Sequence, residues 1–368
     1  MKIAGNTFDD FINSSRQKKV IAFGASVFLS VMAENYAELQ LDECIDYIVD
    51  NAQSKWNTVF CVCGKEKMVY GVEHLLSEEP GKIAILIAAD RYAYDIYEQL
   101  EKMESLEDVD VFCLPLMIAQ RKDDNSFSFQ EVQKEYIPKK IHCFWLGNDE
   151  LDDMAKRCIE SWKKYCPDYE ICLWTKNNYD VTKNAYMHKA YKNKRWAVAS
   201  DYARLDVLYQ EGGIYFDLDL ELIRNIDVLL GNRFFAGFGP IRDVELAAFG
   251  AEKGNLLIKE MLLEYENMDF DPDNVVGIQD VQPIFMARFL RRKGFKIDGK
   301  YQMLNGHTLY PREVFSARNW FTGEETPVDV SLGLHHCAAN WLSKKRKEDK
   351  NIRAELMQCL EEKFDIMK

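Results

Sequence analysis

The chain has 368 residues, of which 47% are hydrophobic and 29% charged. This balance is typical of globular proteins, and the length favours two domains. The net charge of −13 disfavours non-specific binding to nucleic acid or to an anionic membrane surface. The first residues lack the apolar stretch of a signal peptide, and no run of about 18 apolar residues predicts a membrane span. Ten cysteines, mostly inside apolar runs, are expected as free thiols in a reducing cytoplasm.

The first region, residues 1–120, alternates apolar strands with helical periodicity. The strand candidates are VIAFGAS, IDYIVDN, KIAILIAAD and VDVFCLPL. This alternation predicts a small Rossmann-like parallel α/β domain. Gly24 and Asp50 follow its first two strands, as in dinucleotide-binding folds, but the remaining glycines of that fingerprint are missing. A docking or assembly role is therefore favoured over cofactor binding, and an oxidoreductase that uses this sheet is disfavoured.

Three further segments follow along the chain. A polar stretch at 121–136 predicts a linker, and a second α/β region extends over 137–343. Residues 344–368 predict a charged amphipathic helix. Its KKRK run is interpreted as a solvated face, and contact with a membrane surface is the alternative.

The most informative stretch is GGIYFDLDLE at 212–221. Its two glycines predict the end of a helix and a sharp turn into a strand. Strand periodicity places Tyr215, Asp217, Asp219 and Glu221 on one face. Three interpretations are open: a solvated strand face, a divalent-metal site that binds a diphosphate, and a pair of acids for glycoside hydrolysis. The placement of all the carboxylates on one side disfavours the third.

The helix before this stretch carries Asp201 and Arg204, three residues apart and close enough to pair. As an exposed ion pair they would contribute only ~0.3–0.5 kcal/mol. In the functional interpretation, the guanidinium donates several hydrogen bonds to sugar or phosphate oxygens.

Four segments in order carry a family resemblance: IPKKIHCFWLG, SWKKYCPDYEICLWTKNN, WAVASDYARLDVLYQEGGIYFDLDLE and HHCAANW. Together they resemble the DXD-containing sugar transferases of the capsular-polysaccharide type (glycosyltransferase family 32). The catalytic core of the clostridial glucosylating toxins is more distantly similar. The resemblance covers roughly residues 137–343. It implies a GT-A type nucleotide-sugar transferase domain, preceded by the Rossmann-like domain.

The resemblance also implies an activity. A sugar would pass from a UDP- or GDP-sugar to a glycan or lipid-linked saccharide, with retention at the anomeric carbon and with Mn²⁺ or Mg²⁺ as cofactor. Capsular or surface polysaccharide synthesis is the expected process. It would take place in the cytoplasm or peripherally at the inner face of the membrane, in association with a synthesis complex. A non-catalytic module that binds a sugar nucleotide or a partner on the same fold is the alternative.

The resemblance assigns roles to individual residues. Asp217 and Asp219 would form the DXD motif, and Glu221 would order its surroundings or meet solvent. The implied catalytic residues are Asp201, Arg204, Asp217 and Asp219. The implied donor-binding residues are Trp145 (stacked on the base), Asn177, Asp201, Arg204, Tyr215, Asp217 and Trp341.

The implied metal ligands are Asp217, Asp219, His335, His336 and Asn340. Asn340 stands where the family pattern has a serine. Because adjacent residues of a strand point to opposite faces, at most one of the two histidines is expected to reach the metal.

Overall fold

The computed structural model describes residues 2–3, 7–121, 127–147, 150–271, 282–319, 323–338 and 344–364. The chain divides into two compact units. The first comprises Met1–Lys122, Asn319–Glu324 and Lys344–Lys368, and the second comprises Asp123–Arg318 and Glu325–Ser343.

The first unit is built on a seven-stranded sheet. Its strands are β1 (Lys2–Ile3), β2 (Lys19–Phe23), β3 (Ile45–Val49), β4 (Thr58–Val62), β5 (Lys65–Tyr70), β6 (Ile83–Ile87) and β7 (Asp110–Cys113). They lie in the order β1-β7-β6-β2-β3-β5-β4. Every pairing is parallel except that of β4 with β5. Strands β6 and β7 are buried along their whole length, as expected for a sheet covered on both faces.

Helices connect these strands. They are α1 (Phe8–Ser15), α2 (Val27–Asn35), α3 (Leu41–Cys44), α4 (Ala93–Glu101) and α5 (Leu114–Gln120). The predicted parallel α/β class is confirmed here. Asp50, which follows β3, accepts the Ala25 N–H at 2.9 Å and pairs with Lys55 at 2.9 Å. Its carboxylate therefore holds the loop that follows β2.

The second unit contains a mixed seven-stranded sheet and a separate strand pair. Its strands are β8 (Lys140–Trp145), β9 (Glu170–Thr175), β10 (Gly213–Phe216), β11 (Leu220–Leu222), β12 (Phe234–Phe238), β13 (Val244–Ala251), β14 (Gln302–Leu304), β15 (His307–Tyr310) and β16 (Gly333–His335). The large sheet has the order β14-β15-β12-β13-β10-β8-β9, and β11 pairs with β16. Its helices are α6 (Asp153–Tyr165), α7 (Ala185–Lys192), α8 (Trp196–Glu211), α9 (Leu256–Glu266) and α10 (Gln282–Arg292).

The direction of the strands places the site. Strands β8, β9 and β10 are mutually parallel, so their carboxyl ends meet at one edge of the sheet. Strand β13 is antiparallel to β10 and therefore begins at that same edge. The segments that follow β8, β9 and β10 and the first residues of β13 are thereby gathered in one place.

The last helix, α11 (Lys344–Lys363), belongs to the first unit, where it packs on α4. Met357, Leu360 and Phe364 are buried, and Lys363 pairs with Glu101 at 3.1 Å. The apolar residues near its carboxyl end are thus covered within the first unit. In the part of the chain that the structure describes, no helix combines the length and the apolarity needed to span a membrane.

The second unit also includes residues 127–136, from the predicted linker. Phe127 stacks on Tyr301, with ring centroids 5.4 Å apart. This stretch therefore packs on the second unit.

Candidate functional site

The acidic segment forms a turn, and the prediction of one continuous strand is wrong. Strand β10 ends at Phe216, and the Leu220 N–H donates to the Asp217 carbonyl at 3.0 Å, which closes a tight turn. Leu220 then opens β11, which leaves the main sheet, packs on α6 and accepts a hydrogen bond from the Trp162 indole at 2.8 Å. The burial of β11 beside α6 therefore draws the chain away from β10. Asp217 and Asp219 project from a turn and not from a strand face.

Gly212 and Gly213 allow the chain to turn sharply from α8 into β10, as the sequence predicts. Helix α8 ends at Glu211, and Gly212 and Gly213 have φ values of 70° and 119°. A Cβ atom on Gly212 would lie 2.7 Å from the backbone nitrogen of Lys253. Only glycine combines this backbone with this close approach. The chain thereby passes from α8 directly into β10.

Arg204 and Asp201 pair as predicted, but they are not an exposed surface pair. Arg204 is only 6% exposed. Its Nη2 lies 3.3 Å from Asp201 Oδ1, and its Nη1 lies 3.5 Å from Asp217 Oδ1. The guanidinium therefore links Asp201 of the helix to Asp217, the first acid of the turn at Asp217–Leu220. This turn is called the DXD turn below.

The remaining hydrogen bonds of Arg204 also stay within the protein. Its Nε donates to the Ser200 carbonyl at 3.2 Å, Nη2 to Ser200 Oγ at 2.9 Å, and Nη1 to the Leu246 carbonyl at 3.0 Å. The guanidinium carbon lies 4.6 Å from the centroid of the Tyr215 ring. In this structure Arg204 holds other residues of the site in position, and its donors already have acceptors.

Tyr215 lies below the turn and is 2% exposed. Its hydroxyl donates to Asp217 Oδ1 at 2.6 Å. Asp217 therefore receives a hydrogen bond from Tyr215 and lies beside the guanidinium of Arg204. For Asp201, burial, together with the nearby Asp217, raises the pKa to about 7 against the influence of Arg204.

Asp219 is held by the segment around β16. Its Oδ2 accepts the Ala338 N–H at 2.8 Å, and its Oδ1 lies 3.4 Å from His335 Nε2. Burial alone would raise the pKa of Asp219, but His335 and the Ala338 N–H outweigh it and lower the pKa to about 2. This carboxylate is therefore charged over the whole neutral range.

The two adjacent histidines point to different acids. His335 Nδ1 lies 3.1 Å from Glu245 Oε2, while its Nε2 faces Asp219. His336 Nε2 lies 3.0 Å from Glu221 Oε2, and His336 Nδ1 lies 2.9 Å from Glu325 Oε1. His335, on β16, therefore faces the DXD turn through Nε2. His336 belongs to a neighbouring ion-pair cluster in which Glu221 also binds Arg157.

Although burial lowers it, the pKa of His335 is raised well above its usual value by Cys337, Glu245 and Asp219. The charged form of the ring is thereby favoured, and each ring nitrogen faces a carboxylate. A metal ion bound to either nitrogen would displace a proton from it.

Asp217, Asp219 and His335 bring their ligand atoms within 4.8 Å of one another. Two carboxylates and one imidazole fit Mn²⁺ better than Mg²⁺, which prefers oxygen ligands alone. Asn340 and Trp341 lie outside the described residues.

Glu245 was missed by the sequence reasoning. It lies on β13, is 8% exposed, and accepts a hydrogen bond from the Ser316 hydroxyl. A single acid inside the apolar run VELAAFGA is a signal that could have pointed to it, because buried carboxylates need a partner.

Trp145 and Asn177 lie at the same edge of the sheet. Trp145 is the last residue of β8 and is paired in register with Thr175, the last residue of β9. Asn177 follows in the next turn, where its N–H donates to Thr175 Oγ1 at 3.2 Å, and its side chain is exposed. Both residues therefore lie at the carboxyl ends of strands that run parallel to β10.

Together, the fold and the site define an α/β protein with a candidate divalent-metal turn at the carboxyl ends of parallel strands. Residues 152–235 match the family model described as the glycosyltransferase sugar-binding region containing a DXD motif. Residues 152–235 are thus similar to the sugar-binding region of this glycosyltransferase family. This match confirms the resemblance, and with the mixed sheet of the second unit it confirms the predicted fold class.

Two curated relatives are inositol phosphoceramide mannosyltransferases of Schizosaccharomyces pombe. Mannosyltransferase 3 is 33% identical over 105 residues, which cover 27% of this chain and 28% of the relative. Mannosyltransferase 1 is 26% identical over 155 residues, which cover 39% of this chain and 46% of the relative. The matches thus span less than half the length of either relative.

Two solved structures are similar at a low level. The PaToxG glycosyltransferase has a TM-score of 0.33 and 16% identity, over 61% of this chain and 87% of its own. A glycosyltransferase involved in the glycosylation of the major capsid of PBCV-1 has a TM-score of 0.32 and 12% identity, over 58% of this chain and 98% of its own.

Proposed function

We propose that this protein is a metal-dependent glycosyltransferase that moves a sugar from a nucleotide-sugar donor to a glycan or lipid-linked acceptor. The observation that carries the proposal is the convergence of His335, from β16, with Asp217 and Asp219 of the DXD turn. This turn lies inside the segment that matches the DXD family model. We also propose retention at the anomeric carbon, which rests on the family resemblance.

The departure of a nucleoside diphosphate builds negative charge on its leaving oxygens. A divalent ion, when bound, neutralises this charge without a proton. Asp217, Asp219 and His335 would hold that ion. Asp219, with its pKa lowered to about 2, offers a charged oxygen at any neutral pH.

Glu245 has a supporting role in this proposal. Its Oε2 lies 3.1 Å from His335 Nδ1 and would accept a hydrogen bond from an N–H there, which leaves Nε2 to face the DXD turn. Acids that bind the outer nitrogen of a histidine ligand fix its ring orientation and raise its basicity. Arg204 and Tyr215 would fix the orientation of the Asp217 carboxylate.

The donor and acceptor follow from the resemblance and the relatives. Because the two curated relatives are named mannosyltransferases of inositol phosphoceramide, mannose is the first donor sugar to test and an inositol-containing lipid the first acceptor. A surface or capsular polysaccharide is the other acceptor class. Trp145 and Asn177 would bind the nucleotide. The roles of Asn340 and Trp341, and a cytoplasmic or peripheral membrane location, stay predictions.

The test uses the full chain, Mn²⁺ and a panel of UDP- and GDP-sugars, with thermal stabilisation and slow donor hydrolysis as readouts. We expect one donor to stabilise the protein and to be hydrolysed. Asp219→Asn should reduce Mn²⁺-dependent turnover by about 10²-fold or more. Glu252→Gln, which removes a surface acid paired with Arg233, is the matched control and should retain turnover.

If no donor binds, or if Asp219→Asn turns over as fast as the unmodified chain, the proposal fails. Binding without turnover toward any acceptor or water would instead support a non-catalytic sugar-nucleotide module. The anomer of the product, read by NMR, tests retention separately, and inversion would contradict that part.

A further inference from the structure

We propose that the protein has a second metal site, of the zinc type, formed by Glu245, His335 and Cys337 beside the DXD turn. His335 Nδ1 lies 3.1 Å from Glu245 Oε2 and 3.6 Å from Cys337 Sγ. All three ligand atoms lie within 4.8 Å of one another. The site uses the ring nitrogen that faces away from Asp219.

The spacing fits a small tetrahedral ion. Zinc binds nitrogen, oxygen and sulfur at about 2.0–2.3 Å, so two of its ligand atoms lie about 3.3–3.8 Å apart. The observed distances from His335 Nδ1, 3.1 Å to oxygen and 3.6 Å to sulfur, are close to this range. Shifts of a few tenths of an ångström would therefore suffice for binding.

The ligand types select the metal. A thiolate with an imidazole and a carboxylate is typical of zinc and other soft or borderline ions, whereas a thiolate is not a ligand that suits Mg²⁺ or Mn²⁺. Cys337 has a left-handed backbone, with φ of 48°, and its Sγ lies near the ring of His335. The next residue, Ala338, is bound through its N–H to Asp219, which fixes this part of the chain.

A further buried acid lies beside Glu245. Asp243 is 5% exposed, and its Oδ1 has no hydrogen-bond partner within the described part of the chain. A Cβ atom on Gly239 would lie 2.2 Å from this oxygen and 2.9 Å from the Glu245 Cγ, so the two acids are crowded together under a glycine. Buried carboxylates in such proximity repel one another unless a proton or a cation compensates them.

The two sites share one imidazole. An ion on Nδ1 leaves the Nε2–H to donate to Asp219, 3.4 Å away, which is the carboxylate–histidine–zinc arrangement. An ion in the DXD turn needs Nε2 itself. A neutral ring serves only one of them, so a soft metal competes with the ion of the DXD turn. This competition rests on the proposed function, whereas the zinc-type site does not.

The experiment titrates Co²⁺ into the metal-free full chain without any nucleotide sugar. The exposed cysteines Cys61, Cys63 and Cys359 are first replaced by serine, because they could bind the metal elsewhere. Cobalt bound to a thiolate gives an intense charge-transfer absorption in the near ultraviolet. We expect this band to saturate at one Co²⁺ per chain and to be bleached by Zn²⁺.

Variants then locate the ion. Cys337→Ser should abolish the band, whereas the control Cys172→Ser, on β9, should keep it. Glu245→Gln should weaken Co²⁺ binding about 10–100-fold and still show the thiolate band, which keeps the test decisive if Cys337→Ser folds poorly. Asp217→Asn should leave the band intact.

Absence of the band, its persistence in Cys337→Ser, or its loss in Asp217→Asn would each overturn the second site. Because no donor is present, these results do not depend on glycosyltransferase activity. A failed donor screen with an intact cobalt band would reject the proposed function alone.

Discussion

Replacement of Arg204 by methionine tests whether its main work is to compensate the acids around it. The guanidinium is buried and lies within 3.5 Å of carboxylate oxygens of both Asp201 and Asp217. Removal of one partner from a buried ion pair costs about 3–5 kcal/mol, because the other charge stays buried. Asp217 is 30% exposed at its side chain, so solvent softens the loss, and we expect about 3 kcal/mol.

For a unit of this size each kcal/mol lowers the melting temperature by about 2–4 °C. Arg204→Met should therefore melt roughly 6–12 °C lower, as measured by calorimetry together with urea unfolding. The double variant Arg204→Met/Asp217→Asn removes the acid that was left uncompensated and should recover part of this loss. A melting temperature within about 2 °C of the unmodified chain, or a double variant whose losses simply add, would refute the reasoning.

Two further predictions concern the same helix and the turn after it. The pKa of Asp201 is raised to about 7, above its unfolded value, so its contribution to stability is present in acid and lost as the pH rises through 7. The melting temperature of Asp201→Asn should therefore rise relative to that of the unmodified chain as the pH is increased from 5 to 8. A difference between the two melting temperatures that does not change with pH would contradict this. Gly212→Ala and Gly254→Ala both place alanine at a φ of 70°. Only the first places its Cβ atom in a close contact, 2.7 Å from the backbone nitrogen of Lys253. Gly212→Ala should be clearly less stable than Gly254→Ala in urea unfolding, and equal losses would show that the close approach is unimportant.

Local patterns in the sequence were enough to predict much of this site. The helical spacing of Asp201 and Arg204 gave their pairing, and the two glycines gave the end of α8 and the start of β10. The break after Phe216 could not be read in the same way, because Leu220 and Leu222 continue the alternation of the strand before it. Their partner is β16, where Leu220 pairs with His335, and no local pattern reveals a contact between residues so far apart in the chain.

The same limit applies to the histidines and to Glu245. Strand periodicity correctly separated His335 from His336 but could not say which of them faces the acids of the turn. That choice depends on the register of β16 against β11 and on where β13 begins, and both are tertiary properties. Glu245 carried only the signal of an acid in an apolar strand, and its partner becomes visible once the strands are placed.

The assembled site explains why these acids can lie so close together. Asp201, Arg204 and Asp217 form one acid–base–acid triplet, and Asp219, His335 and Glu245 form another. In each triplet a basic group lies between two carboxylates and reduces their repulsion. Yet four acids face only two basic groups, so the site as a whole favours an added cation. The turn that replaces the expected strand brings Asp217, the end of the first triplet, close to Asp219, the end of the second. A divalent ion bound there would reduce the excess of negative charge in both triplets at once.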